Sequence, residues 1–248
     1  MLDEPTLAPV GHKTADRAGG VPAQPATIMS VATEVPTGCI TTTELAERLG
    51  VSEEWIISRT GIRERRRAEP GARLSDYAAR AGRAALARAG VAASELDLVL
   101  VATLTADEVT PNTAPIVAHE LGARRAGAID VGAACTAFLS GLALGSSQIE
   151  SGRAELVLLI GADFVTRITD YDDKRSAPLL RLGLEPERVV DCIETLGNAS
   201  SATLPVALSI AELEGRLRPG VRVLVSAFGA GFTWGAGVVE WGGEVGDI

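Results

Sequence analysis

The sequence predicts a layered α/β protein. Continuous apolar runs of strand length alternate with segments of helical spacing, the grammar of sheets covered by helices. Apolar residues make up 46% of the 248 and charged residues 22%, too much core-forming material for a disordered chain. The longest apolar stretches, 98–104 and 156–162, fall far short of the roughly 20 residues that cross a bilayer, so no membrane partner is expected. At ~150 residues per domain the length implies one large domain or two fused halves.

Residues 1–26 read as a disordered tail. Asp3, Glu4, His12, Lys13, Asp16 and Arg17 stand there among Pro and Gly without the apolar stretch of a secretion signal, so cytoplasmic residence is the expectation. Residues 26–32 have the apolar character of a first strand. Thr41-Thr42-Thr43-Glu44 opens a helix in the manner of a capping box, and Ser52-Glu53-Glu54-Trp55 starts a second. Ser75 is positioned to cap a longer helix through Tyr77, Ala81, Ala85 and Ala89, with Gly90 closing it.

A buried strand follows at 96–104, a helix at 111–121 ended by Gly122, and a strand at 126–131 that runs into Gly132-Ala133-Ala134-Cys135. The spacing of Phe138, Leu139, Leu142, Leu144 and Ile149 suits a helix over 136–149, and 155–162 is again a strand. The last third repeats this pattern in shortened form: strands at 189–193, 221–227 and 234–241, and a helix at 204–213. Residues 27–175 thus hold a full set of elements, whereas 176–248 begin abruptly at Ser176-Ala177-Pro178 and hold fewer.

A net charge of −9 argues against a nucleic-acid partner, because neutralising phosphates needs a basic surface. Cys39, Cys135 and Cys192 are odd in number and lack CxxC spacing, so neither a disulfide framework nor a metal site is expected. Cys135 lies where a strand ends and a helix begins, near free N–H groups and the positive end of the helix dipole, which favours the thiolate; a buried structural thiol is the alternative. Gly229-Ala230-Gly231, between two strands, suits either a tight hairpin or a close backbone approach to an oxyanion. Asn198 suits a cap or a neutral donor at a site. Trp55, Arg59 and Arg63 recur at four-residue spacing and offer an aromatic plane and guanidinium groups to an anion, or a packed Trp beside solvated arginines. The arginine-rich run 63–67 reads as a solvated loop.

These segments occur together and in order: Glu54-Trp55-Ile56-Ile57-Ser58-Arg59-Thr60-Gly61-Ile62-Arg63-Glu64-Arg65, the Cys135 segment, Gly197-Asn198-Ala199-Ser200, and Ala227-Phe228-Gly229-Ala230-Gly231-Phe232-Thr233-Trp234-Gly235. Jointly they resemble β-ketoacyl-acyl-carrier-protein synthase III, a condensing enzyme of the thiolase fold. The resemblance implies a layered αβαβα architecture, complete in the N-terminal half (27–175) and internally truncated in the C-terminal half (176–248). It also implies an acyltransferase that takes an acyl group from acyl-coenzyme A onto Cys135 and condenses it with malonyl-acyl-carrier protein, by ping-pong covalent catalysis. Acyl-coenzyme A would be a substrate, with no cofactor and no metal, and the protein a homodimer pairing through the strand at 126–131.

By the same resemblance the N–H groups of Cys135 and Ala230 serve the oxyanion, and Asn198 binds the malonyl thioester. Trp55 and Arg59 sandwich the adenine of coenzyme A, Arg167 makes another coenzyme A contact, and Thr110 occupies the position of a residue that reaches the partner's acyl pocket. The family's catalytic histidine, in a Pro-His-Gln-Ala-Asn motif, and its Gly-Asp-Gly-Ala-Gly segment have no counterpart, the chain jumping past both near 175–182. His12 and His119 match no catalytic position. Losing the histidine removes acid/base help worth ~10²–10⁴-fold, and falls harder on condensation than on acyl transfer to the thiol. The competing expectation is a non-catalytic acyl-binding or dimerisation remnant, and a third is an internally shortened copy of an ordinary enzyme.

Overall fold

A computed structural model describes residues 25–169, 171, 189–230 and 233–242. Its elements run β1 (Cys39–Thr41), α1 (Thr42–Leu49), α2 (Glu53–Thr60), β2 (Glu64–Arg66), α3 (Leu74–Ala89), β3 (Leu98–Ala102), α4 (Thr113–Leu121), β4 (Gly127–Val131), α5 (Ala137–Glu150), β5 (Val157–Gly161) and α6 (Val165–Ile168). After the undescribed stretch come α7 (Ile193–Leu196), α8 (Thr203–Leu213), β6 (Arg222–Gly229) and β7 (Thr233–Glu240). The start at Ser176 and the junction at 175–182 lie outside the described residues, as does His12.

Local sequence explains the helix ends. Thr41 caps α1 through Glu44 N at 3.2 Å while Glu44 Oε2 accepts from Thr41 N at 2.7 Å, the reciprocal box expected there. Ser52 Oγ accepts from Trp55 N and begins α2. Ser75, in contrast, does not cap α3. Asp107, some thirty residues downstream, supplies that cap from another loop, accepting from Leu74 N at 2.7 Å and Ser75 N at 2.8 Å. Asp130 does the same for α4, accepting from Thr113 N and Ala114 N.

The central sheet has the order β4-β3-β5, all parallel, with Leu100 opposite both Ile129 and Leu159. Val99, Leu100, Val101 and Ala102 of β3 are fully buried, as a middle strand covered on both faces requires. Helices α3 and α4 cover one face and α5 the other, with Gly82 letting α3 close onto Ile160 and Leu158. The buried stripe of α3 is Leu74, Ala78, Ala79, Gly82 and Leu86. The expected face through Tyr77, Ala81, Ala85 and Ala89 is only half-buried, because it borders a cavity rather than the sheet.

Beyond α5 lies the antiparallel hairpin β6-β7, so the described layers run helix, sheet, helix, sheet. The inner face of the hairpin packs toward α5, Gly235 sitting against Leu139. Its outer face leaves Leu224, Phe228, Trp234 and Val238 each about two-thirds or more exposed.

Two expected strands do not form. Residues 26–32 pass through the fold with no ladder partner, Val31 packing on Leu208 and Trp241 instead. Of residues 189–193, the first four are irregular and Ile193 opens α7. A strand needs a neighbour for its N–H and C=O groups; among the described residues β5 is paired only on its β3 side and β6 only with β7. A cavity of about 1130 Å³ lies along this open side, lined by residues 25–36 and by parts of α3, α5, β5, α8 and β7. Two short strands, β1 and β2, were not expected. They pair antiparallel with Ile40 opposite Arg65, so the run 63–67 is not a solvated loop: Arg65 is buried and its Nη1 donates to Thr42 Oγ1 at 2.7 Å.

Candidate active site

The turn Ala134–Thr136 that follows β4 carries Cys135, half-buried, one residue before the N-cap of α5. Ala134 sits at φ +46°, a left-handed conformation that residues with a Cβ rarely adopt. Such strain concentrates where surrounding structure holds a functional group in place. The β6-β7 hairpin closes over this turn. A Cβ placed on Gly229 would lie 3.1 Å from Cys135 N and 3.4 Å from Thr136 N, so glycine is what lets the two backbones approach. Ala230 is exposed in the hairpin turn, next to that approach. Gly231 and Phe232 lie outside the described residues.

On the other side, the loop after α7 brings Asn198 and Ser200 to the same place. Asn198 Oδ1 accepts from Ser200 N at 2.7 Å. Because an N–H must face a carbonyl oxygen, this fixes the amide orientation and leaves Nδ2 to donate elsewhere. Ser200, buried and at φ +54°, donates from its hydroxyl to Cys135 Sγ at 3.4 Å.

Asp163, after β5, ties the loops together. Its Oδ1 accepts from Leu104 N at 2.8 Å, Thr103 Oγ1 at 3.1 Å and Thr105 Oγ1 at 3.2 Å; its Oδ2 accepts from Ser201 N at 3.0 Å and Ser201 Oγ at 2.6 Å. Cys135, the Asn198-Ser200 loop and the Gly229-Ala230 turn therefore converge from three segments of the chain. Neither Ser200 nor Asp163 was singled out by sequence reasoning. The signal available was an aspartate immediately after a buried strand, which reads as an acceptor for loop N–H groups.

The remaining site candidates stand apart from this cluster. The guanidinium of exposed Arg59 lies 4.4 Å from the ring centroid of half-buried Trp55, so these two form one cationic and aromatic surface on α2. Arg63, past the helix end, pairs instead with Glu194 at 2.7 Å. Arg167 is held by Asp107 at 3.1 Å and by the Ala72 carbonyl, over the Phe164 ring. Burial alone would raise the Asp107 carboxyl. Hydrogen bonds from Ser75, Leu74 and Arg167 outweigh it and hold the group below the ordinary carboxylate range. Thr110 is exposed in the loop before α4. His119 is exposed on α4. Burial pushes the Cys192 thiol up, and Cys39 is exposed on β1. Among the described residues no helix is long and apolar enough to cross a membrane.

The chain's likenesses agree with one another. The family described as 3-Oxoacyl-[acyl-carrier-protein (ACP)] synthase III matches residues 129–181, and its C-terminal counterpart matches 176–241. Beta-ketoacyl-[acyl-carrier-protein] synthase III 2 of Streptomyces coelicolor is 30% identical over 313 positions, covering 88% of this chain and 94% of the relative. Synthase III 3 of the same organism is 31% identical over 316 positions, covering 84% and 94%. Both alignments are longer than the 248-residue chain, so each relative carries internal positions that have no counterpart here. Among solved structures, synthase III of Thermus thermophilus superposes with a TM-score of 0.82 at 27% identity, over 88% of this chain and all of that one. The Pseudomonas aeruginosa enzyme gives 0.81 at 27% identity, over 88% and 98%.

Proposed function

The chain belongs to the β-ketoacyl-acyl-carrier-protein synthase III family, an acyltransferase family of the thiolase fold that initiates fatty-acid or polyketide synthesis, and from that we propose that Cys135 is its acyl-accepting nucleophile. The observation that carries this reading is the convergence on Cys135 of a strained turn, a helix start, a glycine hairpin and a hydroxyl donor.

The cysteine thiolate attacks the carbonyl carbon of an acyl-coenzyme A. The carbonyl oxygen takes the negative charge, and the N–H groups of Cys135 and Ala230 stabilise it. Collapse of this intermediate expels the coenzyme A thiolate, which takes up the proton that Cys135 gave up. Trp55, Arg59 and Arg167 bind the anionic coenzyme A; Arg167 does so while keeping its contact with Asp107. In the second half, malonyl-acyl-carrier protein loses carbon dioxide, the resulting enolate carbon attacks the acyl-cysteine, and the Cys135 thiolate leaves and is reprotonated. Asn198 Nδ2 donates to the enolate oxygen. Thr110 leaves room at the acyl pocket of a homodimer.

The chain's two histidines are His12 and His119, and His119 is exposed on α4. Condensation therefore proceeds without the histidine assistance typical of the resemblance, slowed by ~10²–10⁴-fold, while loading of Cys135 persists. Intact-protein mass spectrometry after incubation with short acyl-coenzyme A thioesters tests this. An adduct that Cys135→Ser abolishes supports the nucleophile; no adduct on folded protein refutes it and favours a non-catalytic acyl-binding or dimerisation remnant.

A further inference from the structure

The Cys135 sulfur has one polar side-chain neighbour within hydrogen-bond distance among the described residues, the Ser200 hydroxyl at 3.4 Å. That hydroxyl is buried, and Cys135 Sγ is its described acceptor. A buried hydroxyl aimed at a sulfur would be poorly satisfied by a neutral thiol, which accepts weakly, and well satisfied by a thiolate.

Its position is not an accident of a loose loop. Ser200 adopts φ +54°, a conformation that favours glycine, so something must hold it there. On one side Asn198 Oδ1 grips its N–H at 2.7 Å. On the other, Ser201 N donates to Asp163 Oδ2 at 3.0 Å, and the Ser201 hydroxyl lies between Asp163 Oδ2 at 2.6 Å and Ala102 O at 2.8 Å. Asp163 is in turn fixed by three donors from residues 103–105. The strained residue is thus clamped from both flanks, and the clamp points its hydroxyl at Cys135.

We infer that Ser200 is a further catalytic residue, whose hydroxyl donates to the Cys135 sulfur and stabilises the thiolate that attacks the acyl thioester. The inference rests on Cys135 being the nucleophile. Once the sulfur is acylated it carries no charge and accepts only weakly, so the interaction favours the attacking state over the loaded one.

The test is Ser200→Gly, which removes the hydroxyl and suits the left-handed backbone, alongside Ser200→Ala, which removes the hydroxyl and keeps the Cβ. Iodoacetamide alkylation of the Cys135 peptide is followed by mass spectrometry from about pH 6 to about pH 10, with Cys39 as internal reference and acetyl-coenzyme A loading in parallel. Both variants are expected to react about tenfold more slowly near pH 7, in alkylation and in loading, as loss of a hydrogen bond to a charged group predicts. The curves should converge within about twofold at the alkaline end, because a thiolate freed of its donor is no weaker a nucleophile. Variant curves that overlay the unsubstituted protein overturn the role of Ser200 while leaving Cys135 as nucleophile. Absence of Cys135 loading in the unsubstituted protein overturns the nucleophile itself, and this inference with it.

Discussion

Gly161, the last residue of β5, is where the sheet touches the loop that carries Ser200. A Cβ built there would stand 2.4 Å from the Ser201 carbonyl oxygen, 3.0 Å from its carbon and 3.1 Å from Phe138 Cδ2. Ordinary contact begins near 3.4 Å, so in Gly161→Ala the Ser201 backbone has to retreat by about 1 Å. Retreat is resisted, since Ser201 is held by Asp163 and Ala102 at 2.6–3.0 Å. Overpacking of this kind costs about 1–3 kcal/mol. The same displacement carries Ser200 away from Cys135, whose 3.4 Å contact has little slack. A 1 Å misplacement in a catalytic constellation costs about 10²-fold.

Gly141→Ala supplies the control. Its Cβ meets Leu159 Cδ1 at 2.5 Å, an almost identical clash, but with the free end of a flexible side chain on the sheet side of α5. Because that side-chain end can swing aside, it should cost less stability than Gly161→Ala and leave acyl loading within about twofold. Both variants are compared by urea denaturation and by initial rates of acetyl-coenzyme A loading, followed by intact mass. Loading by Gly161→Ala at the unsubstituted rate, with the expected loss of stability, would refute the coupling of this contact to the site.

Three further outcomes follow from the same geometry. Asp107→Asn removes one of the two anionic acceptors that cap α3 and should cost about 1–2 kcal/mol at neutral pH in urea denaturation. Because the folded-state carboxyl lies below its ordinary value, this contribution is present above about pH 4 and disappears as pH falls through the depressed value, so the variant should show a shallower acid loss; equal slopes would refute it. Phe228→Lys breaks the exposed apolar strip of Leu224, Phe228, Trp234 and Val238, and dynamic light scattering should show less self-association, with stability changed by less than about 1 kcal/mol. Arg59→Ala removes the cation beside Trp55 and should raise the KM for acyl-coenzyme A about tenfold at unchanged maximal loading rate; a fall in rate at saturating substrate would place Arg59 elsewhere in the reaction.

Features set by neighbours in sequence were legible. The capping box at Thr41, the cap at Ser52 and the left-handed glycines closing α3 and α4 each depend on contacts within a few residues. The order of strands and helices from α3 to β5 was legible for the same reason, as was the placement of Cys135 between β4 and α5. Contacts across long separations were not. The cap of α3 comes from Asp107, Arg65 is buried because β2 finds β1, and Ser200 reaches Cys135 across 65 positions. Residues 26–32 and 189–193 have strand-like composition, yet composition cannot supply the neighbouring strand that makes such a segment a ladder.

The helix α5 explains why a shortened member of the family can keep Cys135 in place. It lies between the two sheets and is anchored to both: Gly141 and Gly145 bring it onto Leu159 and Val157 of β5, and Leu139 meets Gly235 of β7. Cys135 sits at its start, so the geometry of the sulfur is set by interior layers that are present. What the described chain leaves open lies at the margins, along the free edge of β5 and on the outer face of the hairpin. Those margins bear on stability and association through unpaired edges and exposed apolar surface. On the proposed assignment, loading needs only the Cys135 thiolate, the Ser200 hydroxyl and the N–H groups of Cys135 and Ala230, whereas condensation also needs proton management from a group absent among the described site residues. The two half-reactions should therefore separate in this chain, with loading the more robust of the two.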